Sequence, residues 1–202
     1  MEYYLSVMTF TFVTGATPGP NNMMLLASGV NHGIRKSMPH YLGICIGFPI
    51  MVAVVGFGLG TVFKEYPSIY IYIKVSGIAY LIYLAWKIGN AGNSSASSNI
   101  RQPLTFIQAA AFQWLNPKAW VIAIGALAAF TRPDSVAQSI ATVIFAYFIM
   151  GFIYTALWLK LGQGLQQFLG SGKRIHYFNI TMALLLLLSV IPMLFTGANN
   201  LA

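Results

Sequence analysis

Acidic side chains are nearly missing from this chain. Only Glu2, Glu65 and Asp134 occur among 202 residues, each near the end of an apolar stretch. Chemistry that needs paired carboxylates, or a hard cation held by several of them, therefore has no donors where the chain is most apolar. Charge of either sign is scarce: 7% of residues are charged, against about 25% in a soluble domain. The single cysteine, Cys45, excludes a disulfide within the chain and a cysteine-built metal cluster; it reads as a small apolar core residue. No H-E-x-x-H, G-x-S-x-G or paired-aspartate pattern occurs, so no enzyme, bound metal or cofactor is expected. No polar stretch exceeds the linker at 90–102, which leaves no room for a separate soluble domain. The first residues lack a basic region and a small-residue cleavage site, so the first apolar segment is expected to stay as a helix.

What is present is apolar length. Hydrophobic residues make up 57% of the chain, and six segments are long enough to span a bilayer, at about 3–30, 38–63, 67–89, 104–130, 136–160 and 177–197. Polar or helix-breaking clusters separate them: Asn31-His32-Gly33 with Arg35-Lys36, Lys64-Glu65-Tyr66-Pro67, the 90–102 linker, and Thr131-Arg132-Pro133-Asp134. Gly162, Gly164, Gly170 and Gly172 are expected to loosen the fifth connection. The fold class is thus an all-α polytopic membrane protein, one domain over 1–202. It divides into three-helix halves at 1–89 and 104–202 joined by a linker at 90–103. Three spans per half make the second half enter the membrane from the opposite face, so related halves form an inverted repeat. Similarity between the halves is weak and rests on their interrupted spans and on glycines such as Gly47 and Gly151.

Seven basic residues fall on one side (Arg35, Lys36, Lys87, Arg101, Lys160, Lys173, Arg174) and two on the other (Lys64, Arg132). The richer side is expected in the cytoplasm, with both termini periplasmic. This explains the net charge of +8 without nucleic acid, since no basic stripe with interleaved aromatics exists.

Two spans are interrupted: the first by Thr17-Pro18-Gly19-Pro20-Asn21-Asn22, the fourth by Gln113-Trp114-Leu115-Asn116-Pro117-Lys118. Proline removes a backbone donor and clashes with the preceding turn, so helices 1 and 4 are expected to break there. Matched breaks in two halves point to a secondary transporter's substrate site. The first motif, followed by His32-Gly33-Ile34-Arg35, resembles the LysE/RhtB family of bacterial amino-acid exporters. So do Gly77-Ile78-Ala79-Tyr80-Leu81-Ile82-Tyr83-Leu84-Ala85-Trp86-Lys87 and Leu115-Asn116-Pro117-Lys118. Pro20-Asn21-Asn22 with Ala85-Trp86-Lys87-Ile88 is most similar to the cysteine and O-acetylserine exporter branch. The resemblance implies a homodimer in the bacterial inner membrane, in contact with lipid. It would export small neutral amino acids, driven by the proton gradient. A rival reading is export of another small solute or a divalent cation, which the lack of acids in mid-span disfavours.

An amino acid presents a carboxylate and an ammonium. Half-helix N-termini near Asn21 and Lys118 favour the anion, and the half-helix C-terminus near residues 15–17 favours the cation. Lys118 lies near mid-span, where a charge costs at least ~2.5–3.5 kcal/mol, and at the wrong helix end for a cation. Two roles are open to it: receiving a substrate carboxylate, or a structural one in which it snorkels or stays neutral while bonding carbonyls. Lys118 is also a candidate for proton coupling, as is Lys74, for which snorkelling to the interface is an equal alternative. Asn21, Asn22, Gln113 and Asn116 either recap the half-helices or touch substrate. Thr17, Pro18, Gly19, Pro20 and Pro117 complete the expected substrate site, the prolines and glycine through main chain. His32 before Gly33 reads as part of a helix C-cap, and His40 as an interfacial residue. Tyr3, Tyr4, Tyr66, Tyr70, Tyr72 and Tyr177 suit an interfacial belt. The G-x-x-x-G spacings at 43–47 and 56–60 serve either a dimer seam or packing within one protomer.

Overall fold

In the computed structural model the described residues are 1–59, 67–91, 102–169, 172–189 and Ile191. Among them regular structure is entirely helical: α1 (Glu2–Ala16), α2 (Pro20–Val54), α3 (Pro67–Gly89), α4 (Phe106–Leu115), α5 (Pro117–Phe130), α6 (Val136–Leu169) and α7 (Lys173–Leu188). A π turn, Val55–Leu59, extends α2.

Proline chemistry sets the helix ends that matter most. The residue before a proline is driven out of the helical region, and Thr17 accordingly adopts φ −60°, ψ 145° and closes α1. Pro20 then opens α2, where its missing N–H costs nothing. The same rule operates at Asn116-Pro117: Asn116 is extended at φ −92°, ψ 103°, ending α4 and capping α5. The start of α4 is fixed by a reciprocal capping box, with Gln108 N donating to Thr105 Oγ1 at 3.2 Å and Thr105 N to Gln108 Oε1 at 3.1 Å.

The first expected connection, around 31–36, is not a loop. Helical structure continues through it and turns at one residue, Gly33, with φ 73° and ψ 172°. Nine residues of straight helix would separate Ser28 from Ser37 by ~13.5 Å, yet their hydroxyl oxygens lie 2.7 Å apart. The chain folds back at Gly33, and the seryl pair ties the two arms of α2 together.

The fifth connection also differs from expectation. The helix runs through Gly162 and Gly164 to Leu169. Gly162 is a packing residue: a Cβ there would collide with the Leu26 carbonyl and lie 3.0 Å from Gly29 Cα. The pair of glycines lets α6 and the first arm of α2 touch backbone to backbone.

The second arm of α2 meets α4 similarly. A Cβ on Gly47 would lie 2.6 Å from Ala110 Cα, and one on Gly43 would strike the Phe106 carbonyl. The 43–47 spacing therefore packs inside the protomer. Among the described residues three apolar clusters form the core. One gathers Leu25, Ile44, Leu81, Leu84 and Phe112; a second gathers Val7, Phe48, Met51, Trp120 and Tyr147; a smaller third joins Leu26 and Ala27 to Met182. Cys45 is buried within 3.1 Å of the Thr155 hydroxyl. Tyr3 fastens the start of α1 to the end of α5, donating to the Phe130 carbonyl at 2.8 Å beneath the Arg132 guanidinium, 3.9 Å above its ring.

Two helical stretches among the described residues are long and apolar enough to cross a bilayer, Pro20–Gly58 and Val136–Leu169. Outward positions are widely apolar, as at Val75, Ile82, Trp86, Phe145, Leu157 and Phe168.

Candidate functional site

The two proline-terminated helix ends meet in space. Lys118, in the first turn of α5, reaches back to the end of α1. Its Nζ donates to the Thr17 carbonyl at 2.9 Å, the Thr17 hydroxyl at 2.8 Å and the Pro18 carbonyl at 3.0 Å. A lysine has three N–H donors, and all three are used. Lys118 is thus at the wrong end of its own helix and at the favourable end of another.

The last carbonyls of a helix have no partner within it. For α1 each is met by a specific donor. Thr17 N bonds Val13 O and the Thr17 hydroxyl bonds Thr14 O. Asn22 Nδ2 donates to both Gly15 O at 2.7 Å and Thr17 O at 2.8 Å, and Trp158 Nε1 donates to Ala16 O at 3.1 Å. The Pro18 carbonyl takes only Lys118 among the described partners. Asn22 therefore recaps α1, and Asn116 caps α5 by accepting from Lys118 N at 3.2 Å.

Asn21 and Gln113 join the second arm of the crossing. Asn21 Nδ2 donates to Gln113 Oε1 at 2.8 Å, and Gln113 Nε2 returns to Asn21 Oδ1 at 3.3 Å and to Ala109 O at 2.8 Å. Gln113 is fully buried, so this amide pair locks the start of α2 to the last turn of α4.

Beside the crossing lies a cavity of about 410 Å³, counting its open mouth. Gly19, Pro20, Asn21, Asn22, Asn116 and Lys118 line it; Thr17, Pro18, Gln113 and Pro117 stand behind or beside that wall. Gly19 leaves the path of the lysine clear, because a Cβ there would sit 2.8 Å from Nζ. Among the described residues no acidic, thiol or imidazole side chain lines the cavity, and that donor set does not suit a divalent cation. Lys74 belongs to α3, but its side chain lies outside the described residues, as do Tyr66 and the side chain of Tyr70.

Sequence reasoning missed Tyr154, Phe48, Ile44 and Ile122, which shape the remaining wall, and Trp158. Tyr154 and Trp158 sit one turn apart on α6 among many apolar aromatics, so nothing in the sequence distinguished them.

A model of the LysE type translocator family matches residues 12–195. The chain belongs to the LysE family. It is similar to the cysteine/O-acetylserine efflux protein of Escherichia coli O139:H28 (strain E24377A / ETEC), 30% identical over 186 residues that cover 89% of this chain and 91% of the relative. The proteins of the same name from Escherichia coli K12 and Shigella sonnei (strain Ss046) are 30% identical over 185 residues, 88% of this chain and 90% of theirs. No solved structure matches. Membership in a translocator family makes this a membrane transporter and not an enzyme, with the paired helix ends as its candidate site.

Proposed function

We propose that the protein exports small neutral amino acids, cysteine or O-acetylserine among them, across the bacterial inner membrane in exchange for protons. The observation that carries this reading is the ammonium of Lys118 seated on the C-terminal carbonyls of α1. That seat is a cation site made of backbone, and the protein's own ammonium fills it where a substrate ammonium would otherwise sit.

The mechanism proposed is an exchange of partners. The substrate enters the cavity with its carboxylate toward Lys118 and the N-termini of α2 and α5, where helix dipoles favour an anion. Lys118 turns from the Thr17 and Pro18 carbonyls to the carboxylate, and the substrate ammonium takes the carbonyls it leaves. Buried polar groups stay paired throughout, which avoids the several kcal/mol that an unpaired group costs in hydrocarbon. Asn21, Gln113, Asn22 and Asn116 hold the two crossings in register. Because Lys118 changes partners between the two states, it is also the place proposed to carry the coupling proton.

The architecture proposed is six spans in two inverted three-helix halves. Span one is α1 with the first arm of α2, and span four is α4 with α5. Both termini face the periplasm, and the working unit is a homodimer. Counterflow of labelled O-acetyl-L-serine in proteoliposomes tests the function, with and without an inward-acid pH gradient and with a divalent metal as comparison. Amino-acid flux stimulated by the gradient is expected. Flux of metal without amino acid would overturn the reading.

A further inference from the structure

A second cavity, with an apolar lining interrupted by a few polar side chains, lies beyond the first along α2, at the end of the molecule that carries Arg35 and Lys36. It holds about 460 Å³ with its mouth, and its wall includes Ser28, Asn31, His32, His40 and Lys87. His40 is 2% exposed, and neither ring nitrogen has a hydrogen-bond partner. Buried polar atoms are almost always paired, so a buried imidazole with neither nitrogen paired, in the wall of a cavity, marks a place where a side-chain rotation would let something else bond. Lys87 lines the same wall as His32 and His40, and among the described residues no acidic side chain lines the cavity. The neighbouring polar groups are already engaged: Ser28 with Ser37, and Asn31 with Asn179 at 2.7 Å.

We propose that this cavity is a second binding site, distinct from the crossing at Lys118, that takes the carboxylate of a small solute between Lys87 and the imidazole N–H of His40. A carboxylate supplies what the wall lacks, a negative charge and acceptor oxygens. The first arm of α2 lines both cavities, with Asn22 in one and Ser28 in the other. Six residues of helix place them ~9 Å apart at ~1.5 Å per residue, so a ligand leaving one is within reach of the other. That the solute is the exported amino acid, loading from the cytoplasm, rests on the function and orientation proposed above; the anion site does not.

The test uses the full-length protein in lipid nanodiscs with ¹⁵N-labelled histidine, titrated with sodium acetate against sodium chloride at equal ionic strength. The chain has three imidazoles, and His176 lies outside the cavity wall and serves as the internal control. Acetate is expected to move the His40 resonance saturably and leave His176 in place. Lys87→Met should raise the half-saturating concentration at least tenfold, and Lys118→Met should leave it unchanged. Lys87→Gln, which keeps a polar tip, makes the same comparison if the Met variant does not fold. No saturable shift in the wild type, or unchanged acetate binding in both Lys87 variants, would overturn the site. A second titration with O-acetyl-L-serine separates the two readings: acetate binding without O-acetyl-L-serine binding keeps the anion site and removes only the substrate assigned to it.

Discussion

Lys118 and Thr17 are 101 positions apart, yet the lysine Nζ lies 2.9 Å from the Thr17 carbonyl and 2.8 Å from its hydroxyl. This contact fastens the start of α5 to the end of α1 through a charge set on a helix C-terminus. Whatever moves the lysine releases the crossing.

Gly19→Ala should slow transport without unfolding the protein. The added Cβ would sit 2.8 Å from Nζ and 2.7 Å from Cδ of Lys118, and the side chain would have to leave its seat. The backbone of Gly19 is extended, at φ 176°, so alanine brings no strain of its own. Initial efflux rates in proteoliposomes, with thermal unfolding measured beside them, check this.

Asn22→Ala should cost stability, because one amide serves two carbonyls of α1. At about 1 kcal/mol for each bond, plus the expense of leaving buried acceptors unmet, the loss should total about 2–3 kcal/mol. Trp158→Phe, which frees only Ala16 O, should cost about 1 kcal/mol. Denaturation of the two variants in detergent should rank them in that order.

The positions at which α1 and α4 end could be read from the chain, because Pro18 and Pro117, inside clusters of other helix-breaking or capping residues, disfavour helix at the residues before them; proline alone does not decide it, since α2 runs through Pro39 and Pro49. The partners of Lys118 could not. Its acceptors are mostly main-chain carbonyls of a distant segment, and a carbonyl leaves no mark of residue type. Gly33 was legible as a stop but not as a single-residue fold-back, which depends on the Ser28–Ser37 contact. Gly162 was expected to loosen the fifth connection and instead packs within a continuous helix, for a related reason. A glycine that lets two backbones approach and a glycine that ends a helix are the same letter, and only the neighbour across the contact tells them apart.

Gly47→Leu should prevent folding while leaving any surviving protein in its native oligomeric state. The side chain would be forced into the Ala110 backbone, and overpacking of this kind costs about 1–3 kcal/mol or more. Folded yield after membrane extraction, and the size of the extracted species, are the readouts. A folded variant that had become monomeric would place this face at a dimer seam.

Reporter fusions within residues 90–102 should be active only for a cytoplasmic reporter. The expectation follows from the seven-to-two division of lysine and arginine. A periplasmic signal there would invert the direction in which the two cavities are loaded.

Lys118→Met tests the central claim most directly. Purified variant and wild type are reconstituted at equal density, and counterflow of labelled O-acetyl-L-serine is followed in each. Methionine keeps an unbranched side chain one heavy atom shorter and removes the charge, so loss of transport with folded protein retained is expected. Lys118→Arg should be impaired as well, because a planar guanidinium cannot replace a compact ammonium on three acceptors. Wild-type flux through Lys118→Met would contradict the account and leave the helix N-termini alone to bind the carboxylate.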